Sequence, residues 1–360
     1  MLRPRRLLVL CDAVGATQTI SFVQPLAEDV AAGRLDLQML PHDPAWVDPA
    51  AAAALVADKA PDILVLSRYT SHGALNLITS ARALGAAVIF HLDDDLLAVP
   101  ESLGPAKYEH YSQPERVAAL MAALNASDLV YASTPTLAAR LAEHGVTAPI
   151  AAGDIYCSVV AANMLSPLPS TGPVIGYMAT GGHGADLDLV LPAIERLLED
   201  IPDLRFETFG TIPPASKLAR FGERVAHFRG EPDYGAFLAR LNELGWWVAI
   251  APLEDAPFNR CKADTKWIEY AFCGIPAVAS DLPVYHKACA DGAGALAETN
   301  AQWHDALRRL VLEPQARQDM LTAARHRLEE CYGRAVLARQ VNDIFDQAAA
   351  LASRQKHDRS

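Results

Sequence analysis

The sequence predicts an α/β protein made of two doubly wound parallel sheets in tandem, followed by a helical tail. Short apolar runs alternate with longer amphipathic stretches, the rhythm of parallel strands joined by helical crossovers. A segment with three prolines in nine residues, 165–173, resists regular structure and interrupts that rhythm, which then restarts. At 360 residues the chain has the length of about two domains.

In chain order, the first half predicts strands at 7–10, 36–40, 63–66, 88–92 and 129–132. Most are apolar throughout, as a strand covered on both faces must be. Helices are expected at 22–32, stopped near Gly33, at 49–58, at 74–84, stopped by Gly85, and at 115–124. Thr134 opens a further helix with Pro135 in its first position, where the missing N–H is not needed. After the proline-rich segment, strands are expected at 174–177, 204–209, 225–228, 247–251 and 277–279, with helices at 186–198, 234–244, 267–272 and 303–312. A helical tail follows over 314–350, and the polar residues 353–360 read as a frayed end. The expected units are a first domain at 1–165, a second at 172–335, and a helix with tail at 336–360 that packs back on the first. Open sheets of this kind bind ligands outside the carboxyl ends of their strands, so the chemistry is expected in the loops that leave them.

Hydrophobic residues make up 51% of the chain and charged residues 21%, which excludes a mainly disordered protein. The 31 Lys and Arg against 43 Asp and Glu give a net charge of −12, so wholesale nucleic-acid binding is excluded while a local basic pocket for a small anion is not. The six cysteines, at 11, 157, 261, 273, 289 and 331, form no CxxC pair and read as small buried hydrophobes in a reducing compartment. Arg3, Arg5 and Arg6 precede an apolar run too short for a signal peptide, and no run of ~18 apolar residues occurs. A soluble, cytoplasmic protein is expected.

Two segments of the second half carry chemistry. In Gly176–Asp186 a strand feeds a glycine-rich turn, Gly181-Gly182-His183-Gly184, and then a helix N-terminus. Backbone N–H groups there suit a phosphate, although a turn needing positive φ explains the glycines equally well. The second segment, 251–280, leaves a strand into a loop bearing Arg260, Lys262 and Lys266, with Glu269 one helical turn after Lys266. Clustered cations suit a diphosphate, and a carboxylate beside them suits two ribose hydroxyls. A surface i,i+3 pair is the structural alternative.

The stretch Pro252-Leu253 to Phe258-Asn259, then Lys266-x-x-Glu269-Tyr270 and Gly274-Ile275-Pro276-Ala277-Val278-Ala279-Ser280, resembles the donor-site signature of GT-B glycosyltransferases of group 1, family 4-like. Ile175-Gly176-Tyr177 followed by His183 and Asp186 fits it too, and Ala126-Ser127-Asp128-Leu129-Val130 with Ser133-Thr134 resembles it more loosely. The resemblance implies two Rossmann-like domains facing a cleft and transfer of a sugar from a nucleotide sugar to a glycan, lipid-linked or protein acceptor, in cell-surface polysaccharide or glycoconjugate synthesis. It implies donor contacts from Gly181, Gly182, Asn259, Arg260, Lys262, Thr265, Lys266 and Glu269, with Lys262 and Lys266 on the diphosphate and Glu269 on the ribose. It implies no cofactor and no metal, a hexosyltransferase-like and rather retaining reaction, and peripheral contact with the inner face of the cell membrane. One position departs. Where many retaining relatives carry a Glu eight positions before Glu269, this chain has Cys261, with Glu254 or Asp255 as substitutes from the same loop.

In the first half, Asp93, Asp94 and Asp95 follow the fourth strand. Three carboxylates invite a metal, but neighbours along a strand point to opposite faces. Asp93 or Asp94 is therefore expected at the cleft, orienting an acceptor hydroxyl or acting as general base. Arg68, after the third strand, suits an acceptor phosphate, or else pairs with a carboxylate while Ser71 caps the next helix. The expected catalytic set is Asp93, Asp94, His183 and Lys266, and the acceptor-side set Arg68, Asp93 and Asp95. Two rival functions are a sugar-nucleotide epimerase and a nucleotide-binding subunit without catalysis, the latter kept open by Cys261.

Overall fold

The structure, a computed structural model, describes residues 3–159 and 172–357. These form two six-stranded sheets with every strand pair parallel. The first sheet holds β1 (Arg5–Cys11), β2 (Leu35–Pro41), β3 (Ile63–Ser67), β4 (Ala87–Leu92), β5 (Leu129–Ala132) and β6 (Ile150–Ala152), in the order β2-β1-β3-β4-β5-β6. The second holds β7 (Val174–Ala179), β8 (Arg205–Gly210), β9 (Val225–Phe228), β10 (Val248–Ala251), β11 (Ala277–Ser280) and β12 (Ala295–Ala297), in the order β12-β11-β10-β7-β8-β9.

The apolar runs explain this layering. In β3, Ile63 and Val65 enter one hydrophobic cluster while Leu64 and Leu66 enter another, so one strand serves two cores through its period of two. The cluster under Ile63 and Val65 continues through Leu337, Val341 and Phe345 of the helix Arg334–His357 to Trp246 and Ile268 of the second half. That last helix lies against β4 and β5 of the first sheet. Gly176 in β7 is obligatory for packing, since a Cβ there would fall 1.8 Å from the ring of Trp246.

Some elements depart from the sequence-based expectation. The single helix at 22–32 is instead a set of turns, Ala16–Gln18, Thr19–Val23 and Ala27–Ala31, with Pro25, which has no N–H to donate, between the last two. The tail is two helices, Pro314–Cys331 and Arg334–His357. They part at Tyr332 and Gly333, where the Tyr332 ring is wholly buried against Trp267. The helix Pro105–Tyr111 and the three-residue β6 were not anticipated. Residues 165–171 of the proline-rich segment lie outside the described residues.

Candidate functional site

Strand order reverses between β7 and β10 in the second sheet and between β1 and β3 in the first. Loops leaving such neighbours diverge and open a crevice. The loop after β7 carries Gly181, Gly182 and His183, and the helix Gly184–Asp200 begins there with Asp186 in its first turn. The loop after β10 runs through the short helix Pro257–Arg260 into the helix Thr265–Phe272, which carries Lys266 and Glu269.

Between these loops lies a cavity of about 560 Å³ lined by Thr180, His183, Thr211, Tyr234, Thr265, Lys266 and Glu269, among others. A second cavity of about 160 Å³ shares His183, Thr265 and Lys266 with it and adds Lys262 from the same side and, from loops of the first half, Asp93, Asp94 and Tyr156. Together they have the size of a ligand site. Glu269 is buried, and burial pushes its carboxyl up to about 7. Burial, together with repulsion from Lys262, brings Lys266 down to about 8, and burial lowers Lys262 as well. A carboxyl held up and amines held down by burial in one crevice mark a candidate functional site.

The first-sheet side is already paired. Arg68 turns at φ 51°, the left-handed region, and its guanidinium binds both Asp93 and Asp94. Asp93 also accepts from Tyr156 Oη at 2.6 Å and Thr17 Oγ1 at 2.8 Å. Burial opposes its charge, but the Arg68 guanidinium beside it holds the carboxyl below the usual range. Asp12, after β1, accepts from the Thr70 amide and hydroxyl and the Ser71 amide.

Solved structures share this architecture. The chain aligns over 96% of its length with all of sucrose-phosphate synthase tll1590 from Thermosynechococcus elongatus, at a TM-score of 0.66 and 16% identity. It aligns over 93% of its length with 98% of Anabaena Alr3699/HepE, solved in complex with UDP and glucose, at 0.65 and 13%. It aligns over 98% with 69% of a Thermobaculum terrenum O-GlcNAc transferase variant, at 0.61 and 15%. The fold is GT-B. No family model matches the sequence, and no curated protein does.

Within the GT-B cleft, His183, Lys262, Thr265, Lys266 and Glu269 come together on one side and Asp93 and Asp94 face them. Other expected residues stand elsewhere. Asp95 is turned away from the acceptor side: it is 1% exposed, with Arg140 Nε at 3.3 Å and His144 Nε2 at 3.0 Å. Arg260 is exposed and paired with Asp255, and it lines neither cavity of the cleft. Asn259 lines a separate cavity and donates to the Glu254 carbonyl at 3.0 Å, so it shapes the loop. Arg68 has its charge met by Asp93 and Asp94, which leaves no free guanidinium for an acceptor phosphate, and Gly73 rather than Ser71 caps the following helix. Asp93 is a poor general base, because three donors stabilise its charged form. The three carboxylates diverge to Arg68 and to Arg140 with His144, and among the described residues no group of three or more His, Cys, Asp or Glu is placed to hold a metal.

Gly181, Gly182 and Gly184 all avoid positive φ, so the turn does not need glycine for its backbone. Gly182 instead lies under Leu103 of the first half, which a Cβ would meet at 3.1 Å. Cys261 is 1% exposed and belongs with Phe258 to the first domain's core, and its carbonyl accepts from Thr134 Oγ1 at 2.9 Å. Burial pushes its thiol up to about 12. The place where relatives are expected to hold a carboxylate toward the sugar is here a hook into the first domain. Neither Glu254 nor Asp255 lines the two cavities of the cleft.

Tyr156 and Tyr234 are site residues that the sequence did not single out. The His-x-x-Asp spacing at a helix start was a signal for Asp186, whereas Tyr156 lies outside regular elements and carries no pattern.

Proposed function

We propose that this chain is a glycosyltransferase that takes its sugar from a nucleoside diphosphate sugar held in the second domain. The observation that carries this is a pair of cavities at a strand-order reversal that share His183, Thr265 and Lys266, one adding Glu269 and the other Lys262, Asp93 and Asp94. Glu269, once ionised, accepts from the ribose hydroxyls. Lys262 and Lys266 take the diphosphate, supplying in place of a metal the charge that the departing group requires. The acceptor, a glycan, lipid-linked or protein hydroxyl, comes from the first-domain side. Its oxygen forms the new bond to the sugar carbon as the bond from that carbon to the diphosphate breaks, the diphosphate leaving with the electron pair and taking the hydroxyl's proton, and the cleft contributes chiefly by holding the two in line. The UDP and glucose bound in HepE support a donor of this kind.

The test is a thermal-shift screen with UDP-, GDP-, CDP- and ADP-sugars in EDTA, followed by assay of nucleotide release with and without added glycans. One preferred nucleotide should stabilise the protein by ~2.7 kcal/mol at a hundred times its Kd. Lys266→Ala and Glu269→Ala should remove that shift. No response to any donor sinks the proposal. Binding with no turnover on any donor would instead favour a nucleotide-binding subunit, which the buried Cys261 favours.

A further inference from the structure

One carboxylate ties the glycine turn to the loop after β10. Asp186 Oδ1 accepts the Glu254 amide at 2.7 Å, and Asp186 Oδ2 lies 2.6 Å from His183 Nδ1. With a carboxylate on Nδ1, that nitrogen carries the proton and Nε2 is the free end of the ring. His183 lines both cavities of the cleft and is only 9% exposed, so its protonation answers to its neighbours rather than to bulk water. Those neighbours are Lys266 from the helix Thr265–Phe272, Lys262 from the loop before it, Asp186 from its own helix, and Asp93 and Asp94 across the smaller cavity. Asp93 and Asp94 are engaged by Arg68. Among the protein's own groups, Lys266 first, then burial and Lys262, hold the imidazole neutral, well below its ordinary pKa.

A diphosphate reverses that balance, because its charge offsets both ammonium groups and leaves the ring between Asp186 and an anion. We propose that His183 takes up a proton as the diphosphate of the nucleotide sugar binds and becomes a third cation on the leaving group, with Asp186 as the positioning residue that steadies the imidazolium. This rests on the donor-site proposal above. The Nε2–H then donates to a phosphate oxygen, and that hydrogen bond strengthens as the bond from the sugar to the diphosphate breaks and negative charge gathers on the departing oxygen.

The test uses the full chain with ¹⁵N-labelled histidine rings, titrated at pH 7 with UDP-glucose and with GDP-mannose, whose diphosphate diesters do not titrate near neutrality. The ring resonances of His183, assigned by their loss in His183→Gln, should pass from the neutral to the imidazolium pattern at saturation. Affinity should gain on lowering pH from 7.5 to 6, by up to about tenfold per unit for one proton, relative to His183→Gln. Glu269 titrates in the same range in both proteins, so the difference between the two profiles isolates His183. Asp186→Asn keeps an acceptor for the Glu254 amide, and in it the bound ring should stay neutral. A neutral His183 in saturated wild-type protein, or equal pH profiles for wild type and His183→Gln, overturns the inference alone. No binding of either nucleotide sugar overturns the donor-site proposal and this inference with it.

Discussion

Glu269 shows how one side chain can serve a site and weaken a fold. Its carboxyl stays protonated to about 7 in the folded chain, whereas the unfolded chain releases that proton near pH 4.5. Between those values the folded state binds the extra proton, so stability falls as pH rises through the window and levels off above it. Glu269→Gln should therefore match wild type in urea unfolding at pH 4 and exceed it by more than about 1 kcal/mol at pH 8, while losing affinity for nucleotide sugars. Asp264, pushed up to about 6 by burial, acts in the same direction in both proteins and cancels from the comparison. Equal stability at pH 8 would mean that the Glu269 carboxyl of the folded chain titrates in the ordinary range of a glutamate. At this scale the sequence was informative where spacing decides the outcome. Lys266 and Glu269 are one helical turn apart at a strand exit, and that places both in the crevice. It was uninformative where a side chain chooses between partners. Nothing in Asp93-Asp94-Asp95 or in Arg260 tells that Arg68, Arg140, His144 and Asp255 will claim them.

Among elements, the parallel strands were the most legible, since a buried strand must be apolar on both faces. The interruption at Pro25 and the break at Tyr332 were not, because each is decided by tertiary packing or by a single backbone donor. The helix Arg334–His357 is the element whose contribution is most exposed to test. Leu337, Val341 and Phe345 are fully buried on it. Gln340 Nε2 donates to Tyr131 Oη and to the Ile155 carbonyl, each at 2.8 Å, and Arg5 pairs with Asp346 at 2.7 Å. Phe345→Ala leaves a cavity beneath the first sheet and should cost about 3–5 kcal/mol in urea unfolding. A cost below about 1 kcal/mol would mean that this helix is not part of the folding unit.

Across the whole molecule, the two halves hold each other through reciprocal contacts. Leu103 of the first lies on Gly182 of the second, and Phe258 and Cys261 of the second sit in the core of the first. Placing a carboxylate at this position by Cys261→Glu would bury a charge among apolar side chains. It should lower stability by several kcal/mol and reduce nucleotide release instead of raising it. A stable, faster Cys261→Glu protein would show that the hook can turn toward the cleft.

The chain carries a net charge of −12, yet the two lysines facing the cleft are half-buried at its floor. An approaching nucleotide sugar, itself an anion, meets the repulsive field of the whole surface before it reaches either ammonium group. Encounter is thus hindered from afar and rewarded only at contact. Added salt screens the long-range repulsion more than the recessed attraction. Association rates measured by stopped-flow should accordingly rise between about 20 and 200 mM salt, the opposite of an electrostatically steered enzyme, and a falling rate would mean that the cleft projects its positive charge outward.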